Sequence, residues 1–413
     1  MDELQARLDD LRERGLYRKL RLISGPQGPR VLLDGKPVLL LCSNNYLGLA
    51  DHPRVRQAAA DAAMRWGAGA GASRLVSGNM TIHRRLEERI AEFKGSESCL
   101  LFGSGYLANT GIVSALAREG DVVFSDALNH ASIVDGCRLA RARTFVYDHC
   151  DTDHLEWGLR EAGGRGALIV TDGVFSMDGD IAPLARIVEL AHRYDARVMV
   201  DDAHGLGALG PGGRGSVAAA GLEDEVDVVV GTLGKSLGSY GAYACMSRTM
   251  SKYLINTART LIFSTALSPP AVAAAGAALD LLIAEPRRVD RLQRNAAIMR
   301  DALTGHGMAT GSSTTQVLPL VVGDADDAVR VCERALENGI FAQAIRPPTV
   351  PEGSSRLRLA VMASHTRTEL QEAAAVLAAA MRAVVGDRPQ PLPVEAPAEP
   401  VRGRIFDGLA EAA

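Results

Sequence analysis

From residue 98 to about residue 257, short apolar runs alternate with longer stretches of helical period, the pattern of a mostly parallel sheet with helices on both faces. The runs predict strands at 98–102, 121–125, 143–147, 166–171, 196–201, 226–231 and 241–246. A helix-rich passage covers 269–306, and beyond it the pattern changes. Strands predicted at 316–322 and 355–361 flank a helix at 326–338, and another helix follows at 367–384. Residues 386–413 are Pro-rich and then polar, which reads as a disordered linker and tail. The expected organisation is α/β: a segment 1–50 that joins the smaller domain, a large domain 51–285, a C-terminal α+β domain 286–385 and the tail.

Composition narrows the class without choosing a function. A chain of 413 residues, 47% of them hydrophobic, can bury a large core, and about 150 residues per domain allows two or three domains. A net charge of -4 argues against a nucleic-acid protein, because binding a phosphate backbone wants a basic face. The six cysteines (42, 99, 137, 150, 245, 332) form no CxxC pair, and the N-terminal run "MDELQARLDDLRERGL" is too charged for a secretory signal. They read as reduced thiols of a cytoplasmic protein. The longest apolar stretch, 269–284, is interrupted by Asp280, so no membrane span is expected, and no metal site is assigned.

The chemistry concentrates at predicted strand ends. Lys235, in "VDVVVGTLGKSLG", follows a β-branched strand and is bracketed by Gly231, Gly234 and Gly238. A partly desolvated lysine there can form a Schiff base. A phosphate-cradling P-loop is the rival reading of "GTLGKS", but Val229 stands where its first glycine belongs. "ARVMVDDAH" (196–204) ends another strand in Asp201 and Asp202, with His204 two residues on. In an open α/β sheet, ligands bind beyond the carboxyl ends of the strands, so Asp201, His204 and Lys235 are expected to face one crevice. A carboxylate that keeps a ring nitrogen protonated and a lysine that holds an aldehyde are what pyridoxal phosphate requires. "CLLFGSGYLANTG" (99–111) runs from an apolar segment through Gly103 and Gly105 into a helix, whose first amides suit a phosphate. The same segment fits the looser dinucleotide pattern, with Asp121 or Asp126 as the ribose carboxylate, so a dehydrogenase remains a competitor. It leaves Lys235 and the 201–204 cluster without a role. His130 follows a strand and opens a helix, where its ring could stack on a cofactor; Asp172 and Ser176 lie at a further strand end.

The segments "SNNYLGLA" (43–50), "GAGASRLVSGN" (69–79), "LFGSGYLAN" (101–109), "SDALNHASIVDG", "TDGVFSMDGDIAPL", "VDDAHGLGALG" (200–210), "GTLGKSLGSYGAY" (231–243) and "IRPPTVPEGSSRLRL" (345–359) occur in one order. Together they resemble the α-oxoamine synthases, fold-type I enzymes of pyridoxal phosphate, over about residues 16–385. The resemblance implies an internal aldimine on Lys235, Asp201 on the pyridinium nitrogen, and His204 and Ser176 near the phenolic oxygen. It implies His130 stacked on the ring, and Gly105, Tyr106 and Thr232 on the phosphate, with Ser264 or Thr265 added across a homodimer interface. Asn44 and Arg358 match binders of the amino-acid carboxylate, and Arg18, Arg346 and Thr349 match positions around the acyl substrate. The implied reaction is decarboxylative condensation of L-alanine with a pimeloyl thioester on coenzyme A or acyl carrier protein. The glycine-using aminoketobutyrate ligases are the alternative branch.

Overall fold

The computed structural model describes residues 2–163, 166–386, 388, 390 and 391. The chain divides into two compact units, one of residues 49–176 and 180–290, the other of 2–48, 177–179 and 291–391.

The larger unit is built on a seven-stranded sheet: β1 (Ser98–Phe102), β2 (Val122–Asp126), β3 (Arg143–Tyr147), β4 (Ala167–Asp172), β5 (Ala196–Asp201), β6 (Val228–Thr232) and β7 (Ala242–Met246). Their spatial order is β1-β7-β6-β5-β4-β2-β3. The block β6-β5-β4-β2-β3 is parallel, and β7 runs antiparallel to both its neighbours. All seven strands expected from the sequence form, within two residues of their expected bounds. Every residue of β2, β4 and β7 is buried, which explains why these runs carry apolar residues at successive positions rather than alternating, with the polar residues of β2 and β4 gathered at their carboxyl ends. Val123, Val170, Met199, Val228 and Val230 share one core with Ile112 and Val113 of helix α1 (Gly105–Leu116) and Ile133 of helix α2 (Ala131–Ala140). Each such side chain contributes about 1.5–3 kcal/mol on burial. Register places Asp172 opposite Asp201, and Asp201 opposite Val230, so the carboxyl ends of β4, β5 and β6 open side by side.

The smaller unit holds two sheets that flank a separate core. Val317–Gly323, Ser355–Ala360 and Gln343–Ile345 form an antiparallel sheet, with Ser355–Ala360 in the middle. Ile23–Ser24, Arg30–Leu33, Lys36–Leu40 and Ile340–Phe341 form the other, which the sequence pattern did not predict, since its strands run only two to five residues. Leu320, Leu357 and Leu359 pack with Val331 of helix Ala325–Glu337 and Leu370 and Leu377 of helix Arg367–Val385. The last helix starts on a reciprocal cap, Thr366 accepting from the Glu369 amide while Glu369 accepts from that of Thr366. Arg356 is buried and ion-paired with Asp178. Most of the tail expected at 386–413 lies outside the described residues. Its start is held: Arg388 donates to Asp327 at 2.6 Å, and Gln390 makes a 2.8 Å and a 2.7 Å bond with the backbone of Ala309. Among the described residues, no helix is long and apolar enough to cross a membrane.

Candidate active site

Beyond β6 the chain turns tightly. Leu233 donates to Gly241 O (2.9 Å), Gly238 N to Lys235 O (2.9 Å) and Ser239 N to Leu233 O (2.9 Å), which presents Lys235 at the crown of the turn. Gly238 makes this possible with φ 58° and a backbone so close to Ala50 that a Cβ would lie 2.4 Å from its nitrogen. Gly231 has a different duty: a Cβ there would fall 2.3 Å from the Tyr243 ring, so it serves strand packing and not approach to a ligand. Ser236 Oγ donates to Leu206 O at 2.6 Å and ties this turn to the loop after β5. Across that tie, Lys235 Nζ lies 2.7 Å from His204 Nε2.

The two carboxylates ending β5 have separate roles. Asp201 Oδ1 accepts from the Ala203 amide at 2.9 Å, and Oδ2 from Asn109 Nδ2 at 2.6 Å. Asp202 is fully buried and structural: it pairs with Lys94 Nζ at 3.0 Å and accepts from Ser216 N (2.9 Å) and Ser216 Oγ (2.6 Å). Asp172, at the end of β4, is buried, and that burial, reinforced by the nearby Asp201 charge, pushes its carboxyl well above the usual range.

At the start of α1, Ser104 caps the helix by accepting from Leu107 N at 3.2 Å. The Gly105 and Tyr106 amides belong to the first turn, which has no carbonyl partner within the helix. Together with the open space around the Gly105 Cα, they form a cradle for an anion. Tyr106 is itself exposed, with its hydroxyl on Asp135. Thr232 donates to Gly241 O at 3.1 Å and accepts from Gly234 N at 3.1 Å. Thr265 is exposed and bridges to Ser73 through its backbone, while Ser176 lies in the loop after β4.

His130 caps α2 through Nδ1, which accepts from Ser132 N at 3.3 Å and stands 2.7 Å from Ser132 Oγ. Its ring reaches solvent, yet the protein around it strips enough water to lower its pKa below the ordinary imidazole value, and the Lys235 charge adds to this against the pull of Asp201. Asn109, buried on α1, donates to both Asp201 and Ser132 Oγ (2.9 Å). Lys235, His204, Asp201, His130 and the start of α1 thus belong to one unit; sequence reasoning missed Asn109, whose only signal was a polar residue on the apolar face of a helix.

In the smaller unit, Arg358 Nη1 donates to Asn44 Oδ1 at 3.1 Å and Nη2 to Tyr46 OH at 3.3 Å; Tyr46 OH in turn donates to Asn44 at 3.0 Å. Tyr46 was not anticipated. Arg346 holds the N-terminal segment through Gly15 O and, at 3.4 Å, Tyr17 O. Arg18 and Thr349 are exposed.

A second titratable cluster has no counterpart in the sequence reading. His149 Nδ1 lies 2.8 Å from Asp126 and Nε2 2.7 Å from Asp180, with Cys150 beside them. Burial works against a charge there, but the hydrogen bonds to Asp126 and Asp180 outweigh it and raise the imidazole to about 12. An imidazolium bonded at both nitrogens is a structural cation and offers no lone pair to a metal.

Comparison with known proteins identifies the family. Residues 36–377 fit the model of aminotransferase class I and II, and the chain belongs to that family. It is 55% identical over 380 residues to an 8-amino-7-oxononanoate synthase of Citrifermentans bemidjiense, covering 91% of this chain and 97% of the relative. It is 54% identical to the Geobacter sulfurreducens protein of the same name, covering 90% and 96%. Among solved structures, serine palmitoyltransferase of S. paucimobilis with a bound PLP–myriocin aldimine superposes with a TM-score of 0.88 at 32% identity, over 93% of this chain and 98% of that one. The 8-amino-7-oxononanoate synthase of Francisella tularensis superposes with a TM-score of 0.73 at 26% identity, over 84% and 98%. The mostly parallel α/β fold is the one shared by these enzymes, the PLP-bound serine palmitoyltransferase among them.

Proposed function

We propose that this chain is a pyridoxal phosphate-dependent acyltransferase that condenses L-alanine with a pimeloyl thioester, releasing 8-amino-7-oxononanoate, carbon dioxide and free thiol, a step of biotin biosynthesis. The observation that carries the reading is the Lys235 amine, 2.7 Å from His204 Nε2 on a turn tied to the end of β5, where Asp201 stands. The residues fit the cofactor: an amine for the aldehyde, a buried carboxylate for the ring nitrogen, and a helix N-terminus with open space for the phosphate. The chemistry it supplies when bound is an electron sink for charge on the amino-acid α-carbon. A dehydrogenase would have no use for this lysine.

Each residue then has a duty of its own. Lys235 Nζ is the tether and the acceptor of the alanine α-proton, and His204 Nε2, which accepts its N–H, fixes where that amine points. Asp201, braced by Asn109 and the Ala203 amide, offers a charge that holds a ring nitrogen protonated. His130 provides a flat face and a ring nitrogen for the thioester oxygen. The Gly105 and Tyr106 amides take the phosphate, and Thr232 joins them once its hydroxyl turns from Gly241 O. Ser176 is assigned to the ring's phenolic oxygen. Arg358, preoriented by Asn44 and Tyr46, is assigned to a substrate carboxylate, and Arg18, Arg346 and Thr349 to the acyl chain.

A cytoplasmic homodimer belongs to the same reading. Leu75, Val76 and Phe263 are 56%, 80% and 71% exposed, apolar surface that a partner subunit near Ser264 and Thr265 would cover. An acidic acyl carrier protein is the alternative thioester donor to coenzyme A. The test is the absorption spectrum of the purified protein followed by borohydride reduction and peptide mapping. A band near about 420 nm and a label on Lys235 are expected; no chromophore, or a label on another lysine, overturns the reading.

A further inference from the structure

The route from Asp201 to His130 is continuous. Asn109 Nδ2 has two hydrogens and both are engaged, one on Asp201 Oδ2 (2.6 Å) and one on Ser132 Oγ (2.9 Å). The amide cannot be reversed, because its carbonyl would then face the Asp201 carboxylate. The Ser132 main-chain N–H points at His130 Nδ1 (3.3 Å), a contact that calls for a lone pair on that nitrogen, and Ser132 Oγ, already accepting from Asn109, stands 2.7 Å from the same nitrogen with its own proton to give.

We propose that Asn109 and Ser132 are positioning residues that hold His130 neutral, with its proton on Nε2, so that the ring keeps a donor for the substrate oxygen. The assignment of that donor's use rests on the function proposed above; the protonation state does not. The charged and titratable groups around His130 act in two directions. Asp201 favours an imidazolium, while Lys235 and the N-terminus of α2, which His130 caps, oppose it. Asp172 takes the His130 main-chain N–H and leaves the ring alone. With the long-range charges opposed, the two local contacts on Nδ1, 2.7 Å from Ser132 Oγ and 3.3 Å from Ser132 N, decide the tautomer. Asn109 Oδ1 is buried and accepts nothing among the described residues, a desolvation cost that a leucine at this position would avoid. An amide at this position is therefore explained by the two bonds it donates.

The test is a long-range proton–nitrogen correlation spectrum of the full chain labelled with ¹⁵N-histidine, with His130 assigned by its absence in His130→Gln. At neutral pH, Nδ1 should resonate as an acceptor nitrogen and Nε2 as the protonated one. Ser132→Ala should raise the titration midpoint of His130 by about half a unit to one unit, a three- to tenfold gain in proton affinity from loss of one hydrogen bond to the neutral form. Asn109→Leu should move it in the same direction, and Ser132→Thr should restore the parent value. A proton on Nδ1 in the parent, which needs no variant to observe, overturns the proposal, as does a Ser132→Ala titration that superposes on the parent. An Asn109→Leu titration identical to the parent removes Asn109 from the relay. Failure of Lys235 to bind pyridoxal phosphate would refute the functional reading, whereas which His130 nitrogen carries the proton is read from the spectra independently of it.

Discussion

Two residues carry the clearest single-site consequences. Lys235 is assigned as both tether and base, so Lys235→Ala should lower kcat by about 10³-fold or more, as removal of one member of a concerted set commonly does. Its circular dichroism spectrum should match the parent, because the side chain is only half-buried and stands at the crown of a turn outside the core. Activity within tenfold of the parent refutes the assignment. His149 is a structural counterpart. Its pKa is raised from an unfolded value near 6.5 to about 12, so the folded state binds the proton more tightly. That stabilisation is complete below about pH 6.5 and declines as pH rises toward 12. The melting deficit of His149→Gln should therefore be larger at pH 6 than at pH 9.5; a deficit that grows with pH would contradict the doubly bonded imidazolium. Lys235, Asp201 and His204 were legible in the sequence because strand ends and glycines frame them. Asn109, Tyr46 and His149 were not, since a polar residue inside an apolar helix or loop shows its partners only after folding.

Elements supply the alignment those residues need. β5 and β6 pair in register from Met199 with Val228 to Asp201 with Val230, which sets the heights of the His204 and Lys235 loops. Gly231 keeps β6 against Tyr243 of β7, and Gly231→Ala should cost about 1–3 kcal/mol through overpacking. The melting temperature should drop by several degrees, and cofactor affinity should fall with it, because the strand must shift. Gly234→Ala is the control: its Cβ would meet nothing nearer than Ser239 O at 3.5 Å, so its melting temperature should stay within about a degree. Equal effects at the two glycines would remove the packing argument. The apolar runs were sufficient to locate the strands of this sheet. They could not reveal that β7 inserts antiparallel between β1 and β6, because burial on both faces produces the same composition in either direction.

At the scale of the whole molecule, backbone shape and substrate choice are separate matters. Serine palmitoyltransferase, at 32% identity, superposes with a higher TM-score than the 26%-identical 8-amino-7-oxononanoate synthase of known structure, so backbone shape does not discriminate among acyl substrates. The 55% identity of the first relative over 91% of the chain supports L-alanine and a pimeloyl thioester. Physical magnitudes predict unequal strictness. One methyl in a pocket is worth about 1–3 kcal/mol, roughly 10- to 200-fold, so discrimination between alanine and glycine should be incomplete. Each buried methylene adds about 0.8 kcal/mol, and pimeloyl exceeds acetyl by several, so acyl selection should be steeper. Measured side by side, kcat/KM for alanine with pimeloyl thioester should exceed that for glycine with acetyl-CoA, and exchanging the acyl group alone should lower it more than exchanging the amino acid alone. Equal or reversed values for the two pairs would move the chain to the glycine-using branch, while the roles of Lys235, Asp201 and His204 would stand, because they act on the cofactor common to both.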